Sequence, residues 1–293
     1  MSDCSVLVCS CDKYQDAWIP FFTLFNRYWN DCPYPVYLNT ETKNYKDKNI
    51  NITTINSNPK WSWSKRLKSC LKRIDSRFVI LMLDDFFLLS DVRQNIVSDC
   101  IQWMKNDNIA SICFERYGVI KNDQVPINNF FVQREPGARY TFSLQIGIWD
   151  KNTLIKCLRN FESPWEFEEI GNLRSLGINK KFFVQMRNST SVFNYNINIE
   201  TGYGLYRGKW LRSNAKLFSK EKIYCDFSNL GFFENKSQFV TQKRPFKEKI
   251  IYYAKNPSAL FKTAIVLFKS ISKRIYWYFE KKYYYSFYKF RKK

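Results

Sequence analysis

The sequence predicts an α/β protein with a mostly parallel central sheet flanked by helices. Short apolar runs typical of strands alternate with segments of helical periodicity along residues 1–242. This order is expected of parallel strands joined by crossover helices. The chain of 293 residues, 45% of them hydrophobic, is also long and apolar enough to bury the core that such a sheet requires.

The predicted elements follow one another without an internal repeat. Strands are expected over residues 5–10, 34–39, 51–55, 78–83, 109–115 and 141–149. Helices are expected over residues 17–30, from a cap at Ser64, over 91–106 and 152–158, and from Pro164. Residues 119–139 contain two prolines and mixed polarity, which predicts a loop over the site.

The strongest functional signal is the run FVILMLDDFFLLS, in which two adjacent aspartates stand between apolar stretches. Burying two unpaired carboxylates inside a strand would cost several kcal/mol each. We therefore expect the strand to end at Leu83 and to present Asp84 and Asp85 at its carboxyl end, where open α/β sheets bind ligands. A divalent cation bridging a diphosphate suits that position. Alternatively, one aspartate caps the next element and the other pairs with an arginine or lysine.

The chain contains no histidine, which excludes Ser/His/Asp and Cys/His catalysis and any histidine-ligated metal. Carboxylates, lysine, tyrosine and cysteine remain as acids, bases or nucleophiles. The first residues carry neither a basic segment nor a cleavage pattern of a secretory signal. The nine cysteines are therefore expected to be reduced and mostly buried, in a cytosolic protein.

An acidic segment follows the second half of the predicted sheet. Four glutamates flank Trp165, namely Glu162, Glu166, Glu168 and Glu169. Acids at a helix N-terminus are ordinary, because the helix dipole favours them there. Trp165 and Phe167, however, could form an aromatic surface on which a sugar stacks, beside a carboxylate that accepts a hydroxyl proton.

The last 51 residues differ from the rest of the chain. Residues 243–293 hold 15 Lys and Arg against two Glu, so +13 of the total net charge of +21 falls there. No uncharged stretch approaches the roughly 20 residues that span a bilayer. An amphipathic helix after Pro257 and the aromatic, basic sequence beyond it predict binding to an anionic membrane surface. Packing against the core and RNA binding are the alternatives.

Taken in order, four motifs resemble nucleotide-sugar glycosyltransferases of the GT-A fold, of the kind that build bacterial capsule, O-antigen and lipopolysaccharide. The resemblance covers roughly residues 5–215. It rests on VLVCSCDKY, WSWSKRLKSCLKRI, LMLDDFF, and SLQIGIWDK followed by SPWEFE. It departs from the usual acidic motif at Phe86, so metal binding by a single carboxylate and metal independence both stay open.

The resemblance implies a set of site residues. Those expected to bind the nucleotide are Ser10, Asp12, Arg66, Asp84, Arg207 and Lys209. Asp85 is the expected ligand of Mn²⁺ or Mg²⁺, and Glu168, or else Glu166, is the expected catalytic base. The expected sugar contacts are Gln145, Trp149 and Trp165. Gly204 and Gly208 are expected in a loop that closes over the diphosphate.

The implied activity is transfer of a sugar from a nucleotide-diphosphate donor to a hydroxyl of a lipid-linked or lipopolysaccharide glycan. The protein would be peripheral on the cytoplasmic face of the membrane, with a catalytic domain over 1–242, a membrane-binding tail over 243–293 and no nucleic acid partner. Two other classes stay open. One is a nucleotidyl- or phosphotransferase on a similar sheet, which commonly has a glycine-rich loop that SCDKYQDA lacks. The other is a non-catalytic lipid- or RNA-binding protein.

Overall fold

The computed structural model describes residues 2–115, 130–138, 140–169, 171–186, 189–196 and 204–234. The strands are β1 Cys4–Cys9, β2 Val36–Thr40, β3 Ile52–Asn56, β4 Phe78–Leu83, β5 Ile109–Cys113, β6 Phe131–Arg134, β7 Gly147–Asp150, β8 Lys181–Gln185, β9 Leu205–Tyr206 and β10 Lys209–Trp210. The α-helices are α1 Trp18–Tyr28, α2 Trp63–Leu71, α3 Gln94–Asn106, α4 Lys151–Cys157, α5 Pro164–Glu169 and α6 Arg212–Lys220. Two 3-10 helices cover Asp12–Ala17 and Gly171–Gly177.

The described strands form an eight-stranded sheet in the order β3-β2-β1-β4-β7-β5-β8-β6, beside a separate β9-β10 hairpin. The pairings among β1 to β4 and between β5 and β8 are parallel, whereas β7 and β6 run antiparallel to their neighbours. The α/β class with a mostly parallel central sheet flanked by helices is therefore confirmed.

A hydrophobic core covers each face of the sheet. Because side chains alternate along a strand, successive residues of one strand face different cores. In β1, Val6 and Val8 face a core shared with α1 and α3. Leu7 and Cys9 face a second core that contains side chains of α2, α4 and α5. Because there is a core on each face, all six residues of β1 are buried, rather than every second one.

Several predicted boundaries move for identifiable reasons. The strand expected over 141–149 is confined to β7, because backbone N–H groups before it bond to side chains instead of a neighbouring strand: Phe142 N donates to Asn172 Oδ1 at 2.8 Å and Leu144 N to Glu168 Oε1 at 2.8 Å. The cap of α2 is Ser62, which accepts from Lys65 N at 3.2 Å.

Two further sequence expectations have clear outcomes. Strand β6 lies inside the stretch predicted to be a loop, so that prediction is wrong for its residues, while 116–129 lie outside the described residues. All nine cysteines are free, and five of them are buried, as expected.

The tail predicted over 243–293 lies wholly outside the described residues, as does its predicted boundary at 242. Within the described part of the chain, no helix is both long enough and apolar enough to cross a bilayer.

Candidate functional site

The candidate site lies where the strand order of the sheet reverses. The chain leaves β1 toward β2 on one side, and β4 pairs with the opposite side of β1. A crevice forms at the carboxyl ends of strands that diverge in this way, and open α/β sheets bind their ligands there. Ser10 follows β1, and Asp84 and Asp85 follow β4, so all three stand at this switch point.

Asp84 is held by the end of β1. Its carboxylate accepts a hydrogen bond from the Ser10 hydroxyl, which in turn accepts one from Trp18 Nε1 at 2.6 Å. Asp84 is only 5% exposed. Burial, with a further contribution from the charge of Asp85, raises the pKa of Asp84 well above its usual range.

Asp85 is fixed by the segment around β9. Its Oδ2 accepts from Leu205 N at 3.3 Å, and its carbonyl oxygen accepts from Gly204 N at 3.1 Å. Burial raises the pKa of Asp85 to about 7. A Cβ at position 204 would lie 2.4 Å from Phe87 and 2.9 Å from the Asp85 carbonyl oxygen, so only glycine permits this close approach.

Neither aspartate of the pair forms an ion pair with any lysine or arginine in the described part of the chain. The alternative in which one of them is neutralised by a basic side chain therefore finds no support among these residues. Two adjacent buried carboxylates with raised pKa values are destabilising unless a cation or protons compensate them.

The acidic pair fits a divalent cation that is shared with a ligand. Among the described residues, no group of three or more Cys, Asp or Glu side chains converges to form a protein-only metal cage. Mg²⁺ is commonly bound by one or two carboxylates together with substrate phosphates. Asp85, with Asp84 beside it, meets that requirement.

A basic hairpin lies next to the 3-10 helix that follows the first strand. Strands β9 and β10 are joined by Arg207 and Gly208, whose φ angles are +51° and +79°, as in the tight turns that connect hairpins. A Cβ at Gly208 would lie 2.7 Å from Lys13 Nζ. The turn therefore brings the predicted Arg207 and Lys209 to the same neighbourhood as Lys13, a residue that no sequence motif marks.

The predicted nucleotide residues Asp12 and Arg66 join a network around the loop after β2. The Asp12 carboxylate accepts from the backbone N–H groups of Glu41, Thr42 and Lys43 at 3.0–3.2 Å. Glu41 in turn accepts from Asp12 N and pairs with Arg66. Arg66 Nε is buried without a hydrogen-bond partner in the described part of the chain.

The two candidate bases have different surroundings. Glu166 closes a capping box at the start of α5, because its Oε2 accepts from Ser163 N at 2.8 Å and from Ser163 Oγ at 2.7 Å. Glu168 accepts from Leu144 N at 2.8 Å, in the segment that leads into β7. Strand β7 runs antiparallel to β4, so the start of β7 lies beside the end of β4, which the acidic pair follows. The contact with Leu144 therefore places Glu168 on the same side of the sheet edge as the acidic pair.

The three predicted sugar contacts also separate. Trp149 is 2% exposed and packs on Phe142, Phe167 and Phe182, so we assign it to the core. Trp165 is 62% exposed and presents an aromatic surface.

Gln145, the third of these contacts, is half-buried and bonds to Tyr195, which also contacts Glu115. Glu41, Glu115 and Tyr195 carry no signal in the sequence, because each is an isolated polar position in the chain. Only the strand order brings them to the site.

No protein-family model and no curated protein matches the sequence. Solved structures with a similar fold include a TarS fragment from S. aureus, with 13% identity, a TM-score of 0.41 and coverage of 66% of this chain and 60% of that one. The chain spans 37% of a longer TarS structure. TarS has also been solved with UDP and with UDP-GlcNAc.

Two other similar structures are nucleotide-processing enzymes by name. One is a cytidylyltransferase from Leptospira borgpetersenii, with 15% identity, a TM-score of 0.44 and coverage of 88% of this chain and 96% of that one. The other is CMP:2-keto-3-deoxy-manno-octonic acid synthetase complexed with CTP, with 10% identity, a TM-score of 0.40 and coverage of 75% and 98%. The similarity of this chain to these structures is one of fold.

Proposed function

We propose that this protein transfers a sugar from a nucleoside-diphosphate donor to a hydroxyl group of a glycan. The observation that carries the proposal is the acidic pair Asp84 and Asp85. It is buried at the switch point of the sheet, fixed by Ser10 and Leu205, and no ion pair in the described residues neutralises it. Such a pair suits a cation that is bound together with a diphosphate.

Asp85 would hold Mn²⁺ or Mg²⁺ together with the donor phosphates, with Asp84 nearer the ribose or sugar. When bound, the ion would neutralise charge that develops on the departing nucleoside diphosphate. The cations of Lys13, Arg207 and Lys209 would act on the same charge from the hairpin side. Because the hairpin is attached to Asp85 through Gly204 and Leu205, the two parts of the phosphate site are held in register.

We assign the role of base to Glu168 and a structural role to Glu166. The Glu166 carboxylate already accepts from the backbone N–H and the hydroxyl of Ser163, the residue that precedes its helix, so removing it would break the capping box of α5. Glu168 lies next to the segment before β7, which contains Gln145, and shares α5 with the exposed Trp165. Both of these side chains could orient a sugar. There Glu168 would take the proton of the attacking hydroxyl.

Nucleotidyl transfer is the second candidate, because it uses a similar sheet and an acidic site. The segment after β1 favours glycosyl transfer. Residues 12–17 form a 3-10 helix whose first N–H, from Asp12, bonds to Glu41. This segment contains no glycine and does not form an open phosphate-binding loop.

The two reactions differ in the product that they release. Purified protein with Mn²⁺ is incubated with nucleotide sugars and, separately, with nucleoside triphosphates plus sugar 1-phosphates. Release of nucleoside diphosphate from the sugar donor supports the proposal. Release of pyrophosphate from the triphosphate, without turnover of nucleotide sugars, would assign nucleotidyl transfer instead.

We also propose that residues 243–293 attach the protein to the cytoplasmic face of the membrane, where a lipid-linked or lipopolysaccharide acceptor would be concentrated. These residues contain 15 basic and two acidic side chains, a net charge of +13, which supports this proposal. The full chain should float with anionic vesicles at low salt and dissociate at high salt. Failure to bind anionic vesicles would contradict the membrane role. Binding to RNA instead, in a parallel binding assay, would favour the non-catalytic alternative.

A further inference from the structure

Tyr14 lies near both halves of the proposed phosphate site and has no role in the mechanism above. It belongs to the 3-10 helix over Asp12–Ala17, which follows β1. Its side chain is half-buried and packs against the core shared with α1 and α3. The ring is therefore held in place, and the hydroxyl group at its end is the part that can act on a ligand.

On one side, the Tyr14 hydroxyl reaches the turn of the basic hairpin. A Cβ at Gly208 would lie 3.6 Å from the Tyr14 hydroxyl oxygen and 2.7 Å from Lys13 Nζ. Lys13 Nζ also lies 5.9 Å from the centre of the Tyr14 ring, a distance at which a cation is attracted to an aromatic face. The hydroxyl and the ammonium group therefore meet at the same point of the turn.

On the other side, the hydroxyl lies within electrostatic range of the acidic pair. Burial is the main cause that raises the pKa of Tyr14 to about 12, and the charges of Asp84 and Asp85 add to it. Both carboxylates must lie near the hydroxyl to act on it, because Coulomb interactions weaken with distance. The hydroxyl is therefore protonated at neutral pH and stands close to the expected cation site.

The hydroxyl has no hydrogen-bond partner in the part of the chain that the structure describes. The backbone N–H of Tyr14 donates to the Cys11 carbonyl oxygen at 2.9 Å, but no side-chain hydrogen bond there involves its hydroxyl. The hydroxyl oxygen is also not one of the buried polar atoms that lack a partner, so it is accessible to solvent. Its one proton is available to a ligand in the crevice.

We propose that Tyr14 is a further catalytic residue, whose hydroxyl donates a hydrogen bond to a phosphate oxygen of the nucleotide-sugar donor. The inference rests on the proposed function. A diphosphate held close to Asp85 and to Lys13 passes the Tyr14 hydroxyl, which lies near both. Phosphate oxygens are charged acceptors, and hydrogen bonds to charged acceptors are the strong ones.

This hydrogen bond should strengthen as the reaction proceeds. The bond between the sugar and the diphosphate breaks, and its electron pair stays on the departing diphosphate. The acceptor oxygen forms the new bond to the sugar and loses its proton to Glu168, while the tyrosine keeps its own proton. Because the acceptor of the Tyr14 hydrogen bond gains negative charge, the bond stabilises the transition state more than the bound donor.

The test compares Tyr14→Phe with wild type, using the full chain with Mn²⁺ and whichever of UDP, GDP, CDP and dTDP binds wild type. Phenylalanine keeps the ring, so the thermal unfolding temperature without ligand should not change. The dissociation constant of the nucleoside diphosphate should rise about tenfold or more, as expected for one hydrogen bond to a charged acceptor. The dissociation constant of the matching nucleoside, which has no phosphate, should stay within twofold.

Turnover supplies a second measurement. The rate at which the saturating nucleotide sugar releases nucleoside diphosphate should fall in Tyr14→Phe by a larger factor than the donor affinity. Tyr28→Phe is the matched control. Its hydroxyl bonds to Glu221 Oε2 at 3.2 Å at the end of α1, and its removal should leave nucleotide affinity and turnover unchanged.

Ionic strength separates the hydrogen bond from the charge beside it. Lys13→Met should also weaken binding of the nucleoside diphosphate, but its difference from wild type should shrink from low to high salt, because salt screens the ammonium charge. The factor for Tyr14→Phe should stay within twofold over the same range, since the hydroxyl is neutral. A factor for Tyr14→Phe that disappears with salt would contradict a direct hydrogen bond.

Unchanged diphosphate affinity and turnover in Tyr14→Phe would overturn the inference while leaving the proposed function intact. An equal loss of affinity for the nucleoside would overturn it too, because the hydroxyl would then act on the base or ribose. A loss of affinity without a larger loss of turnover would overturn the catalytic role. If wild type binds none of the four nucleoside diphosphates, the proposed function itself is refuted, and the inference falls with it.

Discussion

The buried ion pair between Glu162 and Arg174 allows a stability prediction that does not depend on function. Arg174 donates to both oxygens of the Glu162 carboxylate, to Oε2 at 2.9 Å. The Arg174 side chain is 6% exposed and the Glu162 side chain is 2% exposed. The pair joins the residues just before α5 to the 3-10 helix after it. Arg174→Leu removes the cation and leaves the carboxylate buried.

The expected cost follows from this burial. Removing one partner of a buried ion pair typically costs about 3–5 kcal/mol. We expect about 3 kcal/mol at pH 8, because the Arg159 backbone N–H, at 3.2 Å, and the nearby Arg159 charge still favour the carboxylate. Replacing both residues, as in Glu162→Gln/Arg174→Met, should bring stability back to within about 1 kcal/mol of wild type.

The pH dependence of this cost has a defined sign. Burial already raises the pKa of Glu162, although Arg174 opposes the shift, and loss of Arg174 should raise that pKa further. A carboxyl group with a raised folded pKa destabilises the protein as pH rises above its unfolded pKa of about 4.3. The cost of Arg174→Leu should therefore be small near pH 5 and largest at pH 8.

Urea unfolding followed by tryptophan fluorescence at pH 5, 6.5 and 8 measures this directly. The control is Arg212→Leu, which breaks an ion pair with Glu234 whose side chains are 63% and 65% exposed and should cost well under 1 kcal/mol. A loss for Arg174→Leu that is equally small at pH 8, or that does not change with pH, would refute the reasoning.

Three further predictions concern single side chains near the site. Glu166→Ala should lower the unfolding free energy by about 0.3–1.5 kcal/mol and keep turnover, whereas Glu168→Gln should keep stability and reduce turnover about 100-fold or more; the reverse pattern would exchange their roles. Trp149→Ala should cost about 3–5 kcal/mol in urea unfolding. Trp165→Ala should leave stability unchanged and raise the acceptor concentration that gives half-maximal turnover; equal stability losses would contradict the assignment. Gly208→Ala should cost about 1 kcal/mol, because its φ is positive, and should weaken binding of the nucleoside diphosphate in a titration with Mn²⁺ present; unchanged affinity would separate the hairpin from the phosphate site.

Much of the sheet could be predicted because apolar runs and polar breaks coincide with strand ends. Strand β4 ends at Leu83, as expected, since two carboxylates cannot continue a buried strand. Strand β6 was missed because its four residues lie in a stretch with prolines and charges. Its position depends on pairing with β8, which is distant in the sequence.

The candidate site could be predicted only where its residues are adjacent in the chain. Asp84 and Asp85 form a visible doublet, whereas Glu115 and Tyr195 are 80 residues apart and meet only through strand order. The sequence did contain a signal against Glu166 as a base, because Ser163 and Glu166 have the spacing of a capping box. Trp149 was misleading, because an aromatic side chain on a strand covered on both faces is buried.

The most direct test of the central claim is a thermal-unfolding panel of UDP, GDP, CDP and dTDP, each with Mn²⁺ or EDTA, on wild type and Asp85→Asn. A ligand present at 100 times its dissociation constant adds about 2.7 kcal/mol to the stability of the native state. We expect one nucleotide to stabilise wild type only when Mn²⁺ is present, and this effect to be lost in Asp85→Asn. Absence of any shift, or a shift that is unaffected by both EDTA and the substitution, would contradict the assignment of the acidic pair.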